Sequence, residues 1–377
     1  MLRYLQPLVQ ADLPRKLVLL TGPRQVGKTT LARQLGEAAG SATYLNWDVS
    51  ADRAVLQQQT WPLSSRLLVF DEIHKMAGWK AWLKGVVDGR SPGQQLLVTG
   101  SARMDTFRQG GESLAGRYFA YRLHPVSVRE WCNVKGVEPQ QALDHLLQRG
   151  GFPEPCLAED VVQADRWRAQ YLTDLVREDV LEFSRVQEIG AMRLFVDVLR
   201  DRVGSPLSLA SIARDLAVSP STLQRYLDIL QALFIVFTVQ PWHRNVARAL
   251  LQSPKVYFYD TGLVRRGDGP RLENAVAAML LKHVHWLCDA QGRDASLHYV
   301  RTKDGAEVDF ALAEQGELTR LVECKWADDR PHRALTRFAQ TFPAAEAVQI
   351  VHELRQEQDF EAVCVRRAGA WLAGLTA

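Results

Sequence analysis

Unbroken apolar runs of three or four residues recur through the first third of the chain: Leu17-Val18-Leu19-Leu20, Leu67-Leu68-Val69-Phe70 and Leu96-Leu97-Val98-Thr99. Runs without polar alternation predict strands buried on both faces, the pattern of a parallel sheet covered by helices. Ala42 to Trp47 and Tyr118 to Leu123 are two further strand-like stretches, while Leu31-Ala32-Arg33-Gln34-Leu35 has helical composition. An α/β core of five strands is therefore expected over residues 1–125. From Val126 to Val203 the pattern turns helical and charge-rich, with Trp167, Tyr171, Leu172, Leu175 and Val176 on one apolar face. That stretch reads as a helical lid and connector, residues 126–205. Breaks at Pro125, Gly150-Gly151-Phe152-Pro153, Gly204-Ser205-Pro206 and Gly267 to Pro270 punctuate the chain.

Residues 206–250 carry another signature. Leu209, Ile212, Ala213 and Leu216 mark one short helix, Ala217-Val218-Ser219-Pro220 a turn, and Leu223, Leu227 and Leu230 the inner face of a second helix. Ser219 suits the N-cap and Pro220 the first turn of that second helix. Its outward set is Ser221, Gln224, Arg225 and Asp228, and Phe234 to Phe237 with the turn at Pro241 to Asn245 would supply a β wing carrying Arg244 and Arg248. This is a winged helix-turn-helix, and Ser221, Gln224, Arg225, Arg244 and Arg248 are its candidate DNA contacts. A helical hairpin that only packs against its neighbours is the competing reading. Over residues 251–377 period-two alternation returns: Leu297 to Arg301, Glu307 to Ala311 and Leu318 to Lys325 predict three strands, with a helix around Glu273 before them.

Chemistry enters at the end of the first strand. Gly22-Pro23-Arg24-Gln25-Val26-Gly27-Lys28-Thr29-Thr30 has the spacing of a phosphate-binding P-loop between strand and helix. Its glycines let backbone N–H groups face the phosphates; Lys28 would reach the β/γ oxygens of ATP and Thr29 would ligate Mg²⁺. The second run ends in Asp71-Glu72. Asp71 is placed for the Mg²⁺ shell and Glu72 for polarising the attacking water, the Walker B roles. The order of strands resembles the additional-strand class of P-loop ATPases, with the fourth strand between the two Walker strands and Thr99 or Ser101 beside the γ-phosphate as a sensor. Arg117, with Arg103 and Arg108 as rivals, is the candidate arginine finger, reaching a neighbouring subunit's nucleotide.

Composition changes little. The 377 residues are 47% hydrophobic and 24% charged, and a formal charge of +3 is too small to announce nucleic-acid binding. The cysteines Cys132, Cys156, Cys288, Cys324 and Cys364 have no paired spacing, which fits a reducing compartment. Met1 to Pro7 lacks signal-peptide features and the longest apolar stretch, Leu230 to Val239, is too short to span a bilayer. A cytoplasmic protein without membrane contact is expected.

Alternation puts Glu323 and Lys325 on one strand face and pairs Glu307 with Asp309. Asp309, Glu323 and Lys325 reproduce the D…E-x-K pattern of restriction-endonuclease-like folds, in which carboxylates bind Mg²⁺ and the lysine helps activate water. Glu273 is the candidate helix-borne carboxylate.

The succession GPRQVGKTT, VFDEIHK, LLVTGSAR, LAGRY, GGFPEP, a helix-turn-helix, EVDF and VECKW resembles prokaryotic AAA-superfamily ATPases whose C-terminal region is a domain of unknown function. The resemblance spans nearly the whole chain. It implies an ATPase core followed by winged-helix and endonuclease-like modules, with Lys28, Thr29, Asp71 and Glu72 at nucleotide-site positions and Asp309, Glu323 and Lys325 at nuclease-like positions. His74 and Cys324 are variations on the motifs that disable neither chemistry. The expected activity is a DNA-dependent ATPase, a homo-oligomer such as a hexamer or smaller assembly, that moves on or remodels DNA. An ATP-regulated, Mg²⁺-dependent nuclease and a nucleotide switch for protein partners are the alternatives.

Overall fold

The computed structural model describes residues 1–100, 114–175, 189–243, 253–265 and 267–377. Ser101, Arg103, Arg108, Val176, Arg244 and Arg248 lie outside the described residues. The chain divides into two compact units, one of Met1–His124 with Ala232–Phe234, the other of Pro125–Gln231 and Ile235–Ala377.

In the first unit, β1 (Leu17–Thr21), β2 (Ala42–Asn46), β3 (Leu67–Asp71), β4 (Gln95–Thr99) and β5 (Tyr118–Arg122) form one sheet in the order β2-β3-β4-β1-β5. Every pairing is parallel. The three apolar runs thus do what their composition predicts: β1, β3 and β4 are buried on both faces. One face packs Leu17, Leu19, Leu68, Phe70, Leu96 and Val98 against Leu83 and Val86 of the helix Trp79–Gly89. Trp61 and Trp82 close that cluster, with ring centroids 5.4 and 5.3 Å from Phe70. Because β4 lies between β1 and β3, with Leu20 and Asp71 both in register with Thr99, the ends of the Walker strands are brought to one edge of the sheet.

The second unit begins with the helices Val128–Lys135, Pro139–Arg149, Pro153–Leu157 and Val161–Asp174. The first has a capping box, in which the Ser127 hydroxyl accepts from the Glu130 N–H and the Glu130 carboxylate accepts from the Ser127 N–H. Within the apolar face expected on Val161–Asp174, Trp167 stacks on Tyr171 at 4.6 Å. The same helix also buries a charge: Arg168 donates to Asp260 at 3.0 Å, and both side chains are almost wholly enclosed. A Cβ on Gly262 would lie 2.0 Å from the Arg168 guanidinium, so this approach requires glycine.

The helices Leu209–Asp215 and Pro220–Ala232 flank the expected turn, where Ala217 takes a left-handed φ of 53° and the Ser219 hydroxyl accepts from the Thr222 N–H at 3.0 Å. The strand that follows, β6 (Val236–Pro241), starts later than the apolar run, because Phe234 has φ 54°. It pairs antiparallel with β7 (Lys255–Phe258). Beyond the helix Asp268–Gln291, the antiparallel strands β8 (Ala295–Arg301), β9 (Glu307–Glu314) and β10 (Glu317–Lys325) are followed by the helix Arg333–Thr341 and by β11 (Glu346–Val351), β12 (Gln358–Asp359) and β13 (Cys364–Arg367). All lie in one sheet of order β12-β13-β11-β10-β9-β8-β6-β7, which β6 enters by pairing Gln240 with His298 and Pro241 with Tyr299. The two-stranded ribbon is therefore continuous with the C-terminal sheet, through residues distant in sequence. Among the described residues no helix is long and apolar enough to cross a membrane.

Candidate functional site

At the end of β1 the chain must turn sharply beneath the end of β5. A Cβ on Gly22 would sit 2.4 Å from the Leu123 carbonyl oxygen, so only glycine fits, and Gly22 also has φ 148°. Gln25 at φ 59° and Gly27 at φ 99° complete the curl of the loop before the helix Lys28–Ala39 begins. Such a turn directs backbone N–H groups toward one anion-sized hollow. Arg3, which the sequence pattern did not single out, pins the loop from the N-terminal segment by donating to the Val26 carbonyl at 2.7 Å and to the His124 carbonyl.

Lys28 is buried and donates to the carbonyls of Gly22 at 2.9 Å and Pro23 at 2.7 Å. Burial lowers its pKa to about 8, opposed by the charges of Glu72 and Asp71. Asp71 ends β3, and its Oδ1 accepts from the fully buried Thr99 hydroxyl at 2.6 Å. Thr99 thus orients Asp71. Glu72, at φ 56°, turns the chain out of the strand and donates its N–H to the Thr99 carbonyl at 3.0 Å. Its carboxyl is raised above the ordinary range, first by burial and then by Asp71, which brings it closer to the proton affinity useful in a base. His74, 3.5 Å from Glu72, is buried behind it.

Tyr44 is a site residue missed in the sequence. In register with Val69, two residues before Asp71, it leaves the sheet on the same face and donates its hydroxyl to Asp71 Oδ2. Burial and that bond raise its pKa, while a side-chain bond with Thr29 opposes them. Asp71 therefore has both oxygens engaged, one by Thr99 and one by Tyr44. Removing the second donor in Tyr44→Phe should tighten Mg²⁺-dependent nucleotide binding by about tenfold, the worth of a hydrogen bond to a charged group. A Mg²⁺ titration of nucleotide affinity reads this, and an unchanged titration would show that Tyr44 does not compete for Asp71.

The donor set fits a nucleoside triphosphate with Mg²⁺. Lys28 and the loop would hold the phosphates, and Thr29 and Asp71 the ion, which when bound would neutralise phosphate charge. Arg117 lies elsewhere in this unit. Its carbonyl pairs with Leu17 at the beginning of β1, so the length of the strand, five residues at about 3.3 Å each, separates it from the loop. It makes a two-bond pair with Asp88 at 2.9 and 3.2 Å.

A second cluster of ionisable groups lies in the other unit. Glu273, Asp309, Glu323 and Lys325 come together there, from the helix Asp268–Gln291, β9 and β10. Asp309 donates its N–H to Glu323 Oε2 at 3.3 Å, the Cys324 N–H donates to Asp309 Oδ2 at 2.9 Å, and Lys325 donates to Glu323 Oε1 at 2.6 Å. Burial, then Asp309, pushes the Glu323 carboxyl up to about 8 against the pull of Lys325. Tyr257 donates to Glu273 Oε1 at 2.7 Å and His332 lies 3.2 Å from Glu323. Lys255 of β7 is the unexpected member: its ammonium lies 2.7 Å from Glu307, 3.3 Å from Glu273 and 3.8 Å from Asp309. Three carboxylates are thus already arranged around one lysine ammonium. Among the described residues no group of three or more His, Cys, Asp and Glu is arranged to hold a metal.

On the helix Pro220–Ala232, Ser221, Gln224, Arg225 and Asp228 are exposed. Gln224 donates to Asp228 at 2.9 Å, and the Arg225 guanidinium lies 5.9 Å from the Tyr226 ring centroid.

Residues 14–132, which hold the P-loop, Asp71, Glu72 and the parallel sheet, match the AAA domain family, so the first unit is the core of an AAA-superfamily P-loop ATPase. Residues 140–269 and 268–366 match two families each described as a domain of unknown function, DUF8612 and DUF4143. The chain belongs to the family of the "Uncharacterized protein Rv2008c" of Mycobacterium tuberculosis, with 31% identity over 312 residues that cover 80% of this chain and 68% of that protein. It is also similar to an "Uncharacterized protein" of Haemophilus influenzae, 25% identical over 349 residues and 84% of each chain. A solved structure, the Walker-type ATPase PABY2304 of Pyrococcus abyssi, aligns with a TM-score of 0.43 and 15% identity over 69% of this chain and 93% of that one.

Proposed function

We propose that the protein hydrolyses ATP with Mg²⁺ and uses the reaction to move on or remodel DNA as a homo-oligomer. The observation that carries the reading is the meeting of Lys28, Asp71, Glu72 and Thr99 at one edge of the sheet, where Thr99 fixes Asp71 and the same Thr99 backbone fixes Glu72. Lys28 turns from the Gly22 and Pro23 carbonyls to the β/γ-phosphates. Thr29 and Asp71 hold the ion, and Glu72 orients the attacking water and takes up its proton. Arg117 has its own role only toward a neighbouring subunit, as a finger freed from Asp88. Thr99 and Ser101 report the γ-phosphate, Thr99 through Asp71.

Support for DNA as the partner comes from the second unit. Two short helices with a capped turn, then an antiparallel ribbon, follow the order of a winged helix-turn-helix. Ser221, Gln224 and Arg225 face outward on its second helix, with Arg244 and Arg248 proposed for the wing. The C-terminal sheet is read as an endonuclease-like module that grips DNA without cutting it, because Lys255 sits among its carboxylates.

Hydrolysis by the purified chain should rise at least several-fold on adding single-stranded, duplex or branched DNA. The stimulation should fall steeply with salt if the contacts are to phosphates. An ATPase rate that none of the three DNA forms changes would move the second unit to protein binding. Metal-dependent DNA products that disappear in Lys325→Ala would instead establish the nuclease reading.

A further inference from the structure

Lys255 is an unusual lysine. Its side chain is 1% exposed, although lysine is almost never fully buried unless paired. It is anchored at the start of β7, where it pairs with Val239 and forms an isolated bridge to Pro206. Its ammonium faces Glu307, Glu273 and Asp309 from inside the centre, over the Tyr299 ring at 5.4 Å. Arg301 approaches Glu307 from the outside at 3.1 Å, while Lys325 and His332 serve the other carboxylate, Glu323.

We infer that Lys255 is the resident cation of the C-terminal carboxylate centre and excludes divalent metal from it. Glu273 and Asp309 are two of the carboxylates that the endonuclease-like pattern assigns to a metal, and in this chain both share one lysine ammonium. Mg²⁺ needs oxygens at about 2.0–2.1 Å in near-octahedral geometry. To bind Glu273 Oε1 and Asp309 Oδ1 together it must displace the ammonium that lies 3.3 and 3.8 Å from them, and that lysine side chain is only 1% exposed. Expulsion would strand a buried charge, which is costly. The centre thus already holds a cation supplied by the protein itself. Removing Lys255 leaves the three carboxylates of Glu273, Glu307 and Asp309 without their shared ammonium, a site that a divalent ion would then fill. The inference rests on the endonuclease-like reading of this sheet, but its test involves neither DNA nor ATP.

Mn²⁺ binding to the 377-residue chain, followed by the loss of the free-ion signal in electron paramagnetic resonance, decides it. Each protein is compared with its Asp309→Asn counterpart, so that any ion held at the nucleotide site cancels. Wild type and Asp309→Asn should bind Mn²⁺ identically. Lys255→Met should take up one ion per chain more than Lys255→Met/Asp309→Asn, at least tenfold tighter than any residual binding, and Mn²⁺ should raise its melting temperature. Lys255→Gln provides the same comparison should the methionine variant fail to fold. An ion in wild type that is lost in Asp309→Asn overturns the inference on native residues alone. So does a folded Lys255 variant that gains no ion. A wild-type ATPase that DNA does not stimulate would count against the proposed function but would leave this metal-binding test, and Lys255 as the resident cation, untouched.

Discussion

Glu72→Gln is expected to lower ATP hydrolysis by about 10²–10⁴-fold while nucleotide affinity stays within a few-fold of wild type, the range for losing a positioned base. The amide keeps the size of the carboxylate and the left-handed turn at the end of β3, yet cannot accept a proton. Lys28→Ala should behave differently. It removes the buried ammonium that would face the β/γ oxygens, so tight binding and hydrolysis are lost together. Equilibrium binding of a fluorescent nucleotide beside a steady-state phosphate-release assay separates the two variants. Wild-type turnover in Glu72→Gln would take the water-activating role from Glu72.

Arg168→Ala should cost about 3–5 kcal/mol of stability, the usual penalty for breaking one side of a buried ion pair. The guanidinium donates to Asp260 at 3.0 Å, to Asp165 at 2.5 Å and to the Arg149 carbonyl, tying three segments of the second unit. Burial already raises the Asp260 carboxyl, with Arg168 the leading opposing influence. The folded state therefore holds the Asp260 proton more tightly than the unfolded chain does. That cost to stability is absent below the unfolded carboxylate pKa of about 3.9 and present at neutral pH. Without Arg168 it grows, so acidification from neutral pH should recover part of the loss in Arg168→Ala relative to wild type. Urea unfolding at several pH values measures this. A loss under about 1 kcal/mol, or one independent of pH, would mean that the pair is not the tie its burial implies.

The P-loop residues, Asp71 and Glu72 were legible because each set is contiguous in sequence and adjoins an apolar run that identifies the strand presenting it. The two helices Leu209–Asp215 and Pro220–Ala232 and the capped turn between them were legible in the same way, through Ser219, Pro220 and the spacing of Leu223, Leu227 and Leu230. Asp309, Glu323 and Lys325 could be grouped because two neighbouring antiparallel strands carry them at period two. Local periodicity and turn chemistry are properties of a few consecutive residues, and these the sequence determined by itself. Only the tertiary structure decided that Arg117 lies at the opposite strand end from its own P-loop, since that follows from parallel register between β1 and β5. It also decided that Tyr44 shares Asp71 with Thr99, that Arg3 holds the loop at Val26, and that Arg168 and Lys255 are buried cations. In sequence these polar and charged side chains look like ordinary surface positions. Their enclosure depends on carboxylates and carbonyls contributed by segments tens of residues away, and the electrostatic balance at both clusters exists only after packing has removed the water.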